Sequence, residues 1–367
     1  MTLDDHSALR LQAIGLTPAM RAHIQQHLAA QGGALDPAAP FLRRVTEVQR
    51  DALTLHDGEH EQPARGLPAL LAGADAPAVG DWVFASCDRH RQWWVHTRVP
   101  PASVLARRHH DGREKVTRAV LVSNVDTALL VMGLDGDFNP RRLERYLALV
   151  RLSALAAVVV LTKADLLAPD AVAERLRAMR PLLPSGVDVV ALDARGDAPA
   201  AVLAPWLACG QTLVLLGSSG AGKSTLTNAL LGTATQDTGG TRHGDGRGRH
   251  TTTARSLHRL PGGACVIDTP GLRTLRLDAD ADTLAGVFDD IAALALRCRF
   301  RDCRHVDEPG CAVRDATAPE RLRNFHKLLR EARRDASSAL ERREQRQQWK
   351  VRHKAARARE RGKRLGE

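Results

Sequence analysis

The segment Gly217–Ser224, GSSGAGKS, stands between an apolar run, Thr212–Leu216 (TLVLL), and a helix-forming run that opens at Thr225 (TLTNALL). A chain carrying it is constrained at once: a strand must end at a sheet edge, the loop must turn tightly at Gly217, Gly220 and Gly222, and a helix must start at Lys223. The physical purpose of such a turn is to hold an anion. Backbone N–H groups of Ser218, Ser219, Gly220, Ala221 and Gly222 can close around phosphates, and the helix N-terminus adds partial positive charge. Lys223 can then reach the outer phosphates, Ser224 can ligate magnesium, and Thr225 completes the motif. A glycine-rich turn without this role leaves Lys223 and Ser224 at the helix start unexplained.

Two other segments specify the nucleotide. The apolar run ACVI leads into Asp268-Thr269-Pro270-Gly271, where a strand-end Asp268 can hold magnesium through water and the Gly271 amide can sense a γ-phosphate. The apolar run AAVVVL leads into Thr162-Lys163-Ala164-Asp165, placed where open α/β sheets bind ligands. A carboxylate at Asp165 can accept from both the ring N–H and the exocyclic amine of guanine, a donor pair that adenine lacks, and the Lys163 stem can lie over the ring. GTP is therefore expected over ATP. Many such sites have Asn where this chain has Thr162, so one contact is lost or replaced. In the common order the phosphate loop comes first and the base motif last, whereas here the base motif comes first, so the order is circularly permuted. Apolar strands alternating with helices from Arg118 to about Asp290 predict a parallel sheet covered on both faces.

The rest of the chain divides by rhythm. Residues 1–38 read as a helical extension, with a helix over Pro18–Ala30. Residues 39–116 read as an OB-type β-barrel of short alternating strands, residues 117–290 as the nucleotide-binding α/β domain, and residues 291–367 as a metal-binding domain with a basic helical tail. A length of 367 residues suits several domains. The net charge of +11 favours a polyanionic partner, nucleic acid or an anionic surface. Trp82, Trp93 and Trp94 are candidates for stacking on bases, although at least one belongs in a core. The N-terminus resembles neither a signal nor a transit peptide, and no apolar run approaches the ~20 residues of a membrane span. A soluble, cytoplasmic, monomeric protein with no membrane partner is expected.

The cysteines are unevenly spread. Cys298-x4-Cys303-x-His305-x5-Cys311 places three thiolates and an imidazole close together, enough for one tetrahedral, structural Zn2+. Arg297, Arg299, Arg301 and Arg304 interleave with these ligands and suit phosphates. Cys265 reads as a small buried side chain.

Taken in order, the barrel, TKAD, GSSGAGKST, GRHTTT at 248–253, DTPG and the cysteine cluster resemble the small-subunit ribosome biogenesis GTPases of the RsgA (YjeQ/YloQ) family over nearly the whole chain. The resemblance implies an assembly factor that binds the small ribosomal subunit and its 16S rRNA, acts late in its maturation, and hydrolyses GTP to GDP there. It also supports zinc at the four ligands and an RNA-binding barrel. Many GTPases orient water with a Gln just after DxxG, but this chain has Leu272. Following the family's pattern, His250 is the expected water-positioning residue, and Thr251 or Thr252 the expected switch ligand to magnesium. Two other readings stand beside this one: an ATP-dependent nucleotide kinase, opposed by TKAD, and a GTP-sensing RNA scaffold with negligible hydrolysis, which the missing Gln leaves open.

Overall fold

The computed structural model of the chain describes residues 5–30, 41–49, 52–71, 76–110, 116–232, 255–269 and 281–336. The helix expected over Pro18–Ala30 forms, preceded by Asp5–Gln12. Five strands follow: β1 (Phe41–Gln49), β2 (Ala52–His56), β3 (Glu61–Gly66), β4 (Trp82–Cys87) and β5 (Trp93–Arg98). Their pairing runs β1-β2-β3-β5-β4 and closes through β1 and β4, with β3 and β5 parallel. This is a closed five-stranded barrel of OB type. Alternating residues fill it, namely Val45, Leu53, Leu55, Ala64, Val83, Ala85 and Val95. Closure removes the free edges that a five-stranded sheet would otherwise expose. Beyond it, β6 (Val104–His110) and β7 (Val116–Ser123) pair as a separate two-stranded sheet.

The α/β part contains β8 (Thr127–Gly133), β9 (Ala156–Thr162), β10 (Asp188–Ala191), β11 (Thr212–Leu216), β12 (Ser256–Arg259) and β13 (Cys265–Asp268). The strand order is β10-β9-β8-β11-β13-β12, parallel except for β12. Every residue of β8 and β11 is buried, which is why these strands read as unbroken apolar runs. Leu129, Val131, Val158, Val160, Leu213, Leu215 and Val266 pack against Leu226 and Leu230 of the helix that follows the phosphate loop. Burying each such side chain contributes about 1.5–3 kcal/mol. That packing fixes the strand ends from which the site projects. Cys265 is buried in β13, as expected.

The barrel and the α/β sheet are joined. Glu47 of β1 pairs with Ser256 of β12, so one sheet runs from β10 into the barrel. Arg44 of β1 is buried, and its guanidinium donates to the carbonyls of Gly80, Asn124 and Ile14 and to Thr212 Oγ1. A buried cation is costly without partners; here acceptors from the turn after the first N-terminal helix, the approach to β4, the link from β7 to β8 and the strand leading to the phosphate loop supply them. Burial nonetheless pushes the Arg44 pKa down. Trp82 is 0 % exposed and lies under Arg44, 5.4 Å from ring centroid to guanidinium, so of the three tryptophans it is the core residue and is closed to base stacking.

The chain forms two compact units, Met1–Ala106 with Val120–Leu275, and Arg107–Ala119 with Arg276–Glu367. In the second unit, Pro319–Ala336 is a long amphipathic helix. Its Phe325 meets Phe288 edge-on at 5.1 Å, and Arg321 donates to both carboxylate oxygens of Asp290 at 2.9 Å. Among the described residues no helix is long and apolar enough to cross a membrane.

Candidate nucleotide and metal sites

The phosphate loop leaves β11 at Gly217. A Cβ there would lie 2.4 Å from the Val131 carbonyl, so only glycine lets β11 run this close to β8. At the other end Gly222 has φ 94°, a left-handed conformation suited to glycine. The Lys223 amine folds back over the loop and donates to the carbonyls of Ser218 at 2.8 Å and Gly217 at 3.2 Å. Burial pushes its pKa down, opposed by the carboxylates of Asp268 and Asp137. Ser224 Oγ donates to Asp268 Oδ2 at 3.3 Å, so the two expected magnesium ligands of the described residues converge. Thr269 is buried and hydrogen-bonded to the Leu215 carbonyl at 2.6 Å, fastening the end of β13 to β11.

The second strand end brings Thr162, Lys163, Ala164 and Asp165 to the same edge. Thr162 is buried, and its hydroxyl donates to the carbonyl of Ala221 at 2.6 Å. The residue that departs from the common Asn therefore ties the base motif to the phosphate loop. Lys163 sits at φ 61°, a left-handed conformation that costs a non-glycine residue about 1–2 kcal/mol. Its amine is held by Asp135 Oδ2 at 2.6 Å. Ala164 N donates to the Leu192 carbonyl at 3.3 Å, and the Asp165 carboxylate lies 3.9 Å from Arg195. His250, Thr251, Thr252 and Gly271 lie outside the described residues, as does the tail beyond Ala336.

Replacing Thr162 by Val keeps the shape but strands the Ala221 carbonyl in a buried place. The expected loss of unfolding free energy is about 1–3 kcal/mol. Denaturant unfolding measures it, and an unchanged midpoint would show the hydrogen bond to be dispensable.

The turn Gly133–Asn139 (GLDGDFN) carries no recognised motif, yet it touches both parts of the site. Asp137 accepts from Ser218 Oγ at 2.6 Å, and Asp135 holds Lys163. Burial works against ionisation of Asp135, but the bonds from Lys163 and from the Asp137 N–H outweigh it and hold its carboxyl below the ordinary value. The signal was available: the turn leaves the C-terminal end of β8, the same edge that marks TKAD as a ligand position.

In the second unit, Cys298, Cys303, His305 and Cys311 bring their ligand atoms within 4.8 Å of one another. The Sγ atoms of Cys298 and Cys311 are 3.9 Å apart, and they lie 3.7 and 3.4 Å from His305 Nδ1. A tetrahedral ion with thiolate and imidazole ligands separates two sulfurs by about 3.8 Å and a sulfur from a nitrogen by about 3.5 Å. The donor set therefore fits a metal ion. Two local features shape it. His305 adopts φ 62°, turning the chain between ligands, and Cys311 Sγ caps the helix Ala312–Ala316 by accepting from Arg314 N at 3.3 Å. Glu308 closes the loop, and hydrogen bonds from its own N–H and those of Arg304 and Val306 bring its carboxyl down to about 2. Burial, with the neighbouring Cys311 and Cys298, pushes the Cys303 thiol up to about 11. Arg297, Arg299, Arg301 and Arg304 are all exposed around this loop.

A family model for RsgA GTPase matches residues 99–278. The small ribosomal subunit biogenesis GTPase RsgA of Xanthomonas oryzae pv. oryzae (strain PXO99A) is 44 % identical over 295 residues, covering 78 % of this chain and 79 % of that one. The crystal structure of YjeQ from Thermotoga maritima superposes with a TM-score of 0.57 at 24 % identity, over 79 % of this chain and 98 % of that chain. YloQ, a circularly permuted GTPase, superposes with a TM-score of 0.56 at 22 % identity, over 83 % of this chain and 99 % of that chain.

Proposed function

Because the chain belongs to the RsgA GTPase family and is a GTP hydrolase of permuted fold, we infer that it binds the small ribosomal subunit through its 16S rRNA, takes part in late maturation there, and hydrolyses GTP with stimulation by the subunit. The observation that carries the reading is the bond from Thr162 to Ala221, which joins the base motif to a phosphate loop that follows it in the chain. Asp165 and Lys223 thereby serve one nucleotide. The name of the Xanthomonas oryzae relative supports the ribosomal part.

In this reading Asp165 accepts the two guanine donors while the stem of Lys163 covers the ring and Thr162 and Ala164 shape its seat. The N–H groups of Gly217–Gly222, Lys223 and Thr225 hold the phosphates. Ser224 and Asp268, joined by Thr251 or Thr252, would hold the magnesium that accompanies GTP, which would supply positive charge against the outer phosphates. Gly271 reports the γ-phosphate, and His250 orients the attacking water in place of a Gln at Leu272. The four donors Cys298, Cys303, His305 and Cys311 hold one zinc, which leaves no open position and so organises the loop structurally. The exposed arginines around it, the barrel at 39–116 and the basic tail contact RNA. The helical extension at 1–38 precedes the barrel, and the protein works as a cytoplasmic monomer.

The segment after Asp268 runs directly into the second unit, so the state of the γ-phosphate can bias how that unit meets RNA. Coupling of 1–3 kcal/mol is usual between linked sites. Affinity for small subunits, measured by co-sedimentation, is therefore expected to be about tenfold higher with a non-hydrolysable GTP analogue than with GDP. Equal affinity in the two states would remove the coupling, and no co-sedimentation in either state would remove the ribosomal reading.

A further inference from the structure

The carboxylates of Asp135 and Asp137 are wired alike. Asp135 Oδ1 accepts from the backbone N–H of Asp137 at 3.1 Å, and its Oδ2 accepts from Lys163 Nζ at 2.6 Å. Asp137 Oδ2 accepts from the backbone N–H of Gly133 at 3.3 Å, and its Oδ1 accepts from Ser218 Oγ at 2.6 Å. In each case one oxygen holds the turn in shape and the other reaches a different motif of the nucleotide site. The turn itself is anchored at both ends. A Cβ on Gly133 would lie 2.5 Å from Asp135 Oδ1, so the start is tightly folded. At the far end Asn139 caps the helix Pro140–Leu152 by accepting from Arg142 N at 3.1 Å, and the Arg142 side chain donates back to Asp137.

We propose that the turn Gly133–Asn139 is a fixed bridge that sets the spacing between base and phosphate subsites, with Asp135 positioning Lys163 over the guanine ring and Asp137 positioning Ser218 in the phosphate loop. Two facts favour a positioning role over plain stabilisation. Lys163 stands in a left-handed conformation, and such a residue persists only where its surroundings hold it. A long lysine stem is otherwise free to leave the ring face, and a charge-assisted bond at 2.6 Å removes that freedom. The bridge also fits the permuted chain. The base motif and the phosphate loop lie on different strands, β9 and β11, and β8 runs between them in the sheet. A turn at the end of β8 is the shortest connection from one to the other.

The inference rests on Lys163 and Ser218 belonging to the guanine-nucleotide site, and the test separates the two. Dissociation constants for a fluorescent GDP are measured on the full chain for Asp135→Asn, Lys163→Ala and the double variant, and in parallel for Asp137→Asn, which keeps an acceptor for the Gly133 N–H, Ser218→Ala and their double. Asparagine at 135 keeps the acceptor for the Asp137 N–H, so the turn can still form while the charge on Lys163's partner is lost. Asp135→Asn is expected to weaken GDP about threefold to fivefold, since the pair is partly exposed. The double variant should bind no more weakly than Lys163→Ala alone, because Asp135 acts only through the lysine. The Asp137 cycle should behave the same way with Ser218. Full additivity in both cycles, or unchanged affinity in Asp135→Asn beside a weakened Lys163→Ala, overturns the bridge. Unchanged affinity in Lys163→Ala overturns the base-site reading and the bridge with it.

Discussion

Substituting Asp165 by Asn should reduce GTP affinity by about a thousandfold and shift preference toward xanthosine triphosphate. Guanine presents two donors on one edge, its ring N–H and its exocyclic amine, and a carboxylate meets both with its two oxygens. Asparagine offers one oxygen and one NH2 group, so a guanine donor then faces a donor. Hydrogen bonds to charged groups are worth about 1.5–3 kcal/mol each, and an unmatched partner adds its own desolvation cost; at 1.4 kcal/mol per tenfold the sum reaches about three decades. Xanthine carries a carbonyl where guanine has the amine, and the asparagine NH2 can donate to it. Little in the described residues opposes this exchange, because the one ion pair of Asp165 among them, with Arg195 at 3.9 Å, is solvated and worth little. Competition of GTP, xanthosine triphosphate and ATP against labelled GDP measures the change. GTP preference surviving in the variant would mean that another group reads the base edge.

Removing the metal should have the other large effect, confined to the second unit. Metal binding contributes about 10–16 kcal/mol to folding in zinc-finger peptides. Here the four donors span a loop that is also held by Glu308, by the Arg299 N–H on the Gly310 carbonyl, by the contact of His326 Nε2 with the His305 carbonyl, and by a short helix capped by Cys311. Unpaired, three thiols and an imidazole this close have no reason to stay together. One zinc per chain is expected by metal analysis. Chelation, or Cys311→Ser, should lower the melting temperature of the second unit and abolish small-subunit binding while GDP still binds. A protein that purifies without metal and melts unchanged after chelation would contradict the zinc reading.

Much of the nucleotide site is legible because its motifs are local. Gly217, Gly222 and Lys223 are required by the path of one loop, and the apolar runs at 127–133, 156–162 and 212–216 announce strands buried on both faces. The barrel is legible for a similar reason, since short alternating strands broken by Gly and Pro leave few other folds. What escaped depends on tertiary partners. Arg44 looks like a surface charge in RRVTEVQ, yet it is buried among acceptors from four separate segments. The strand Ser256–Arg259 is four residues with no alternation of its own, and nothing local says that it joins the α/β sheet to the barrel. Asp135 and Asp137 sit in a polar turn like many others, and their meaning appears only when Lys163 and Ser218 arrive beside them. Thr162 was legible as a departure, but the compensation, a hydroxyl on the Ala221 carbonyl, required the fold.

GTP turnover, measured for the wild type and for His250→Ala with and without purified small ribosomal subunits, bears on the function as a whole. Placement of a water by a side chain contributes about 10²–10⁴ in rate, so subunits should raise wild-type turnover at least about a hundredfold. His250→Ala should keep GDP and GTP binding yet stay at the unstimulated rate. Turnover that is the same with and without subunits in the wild type would contradict a ribosome-stimulated GTPase, and full stimulation of His250→Ala would return the water-positioning role to another residue.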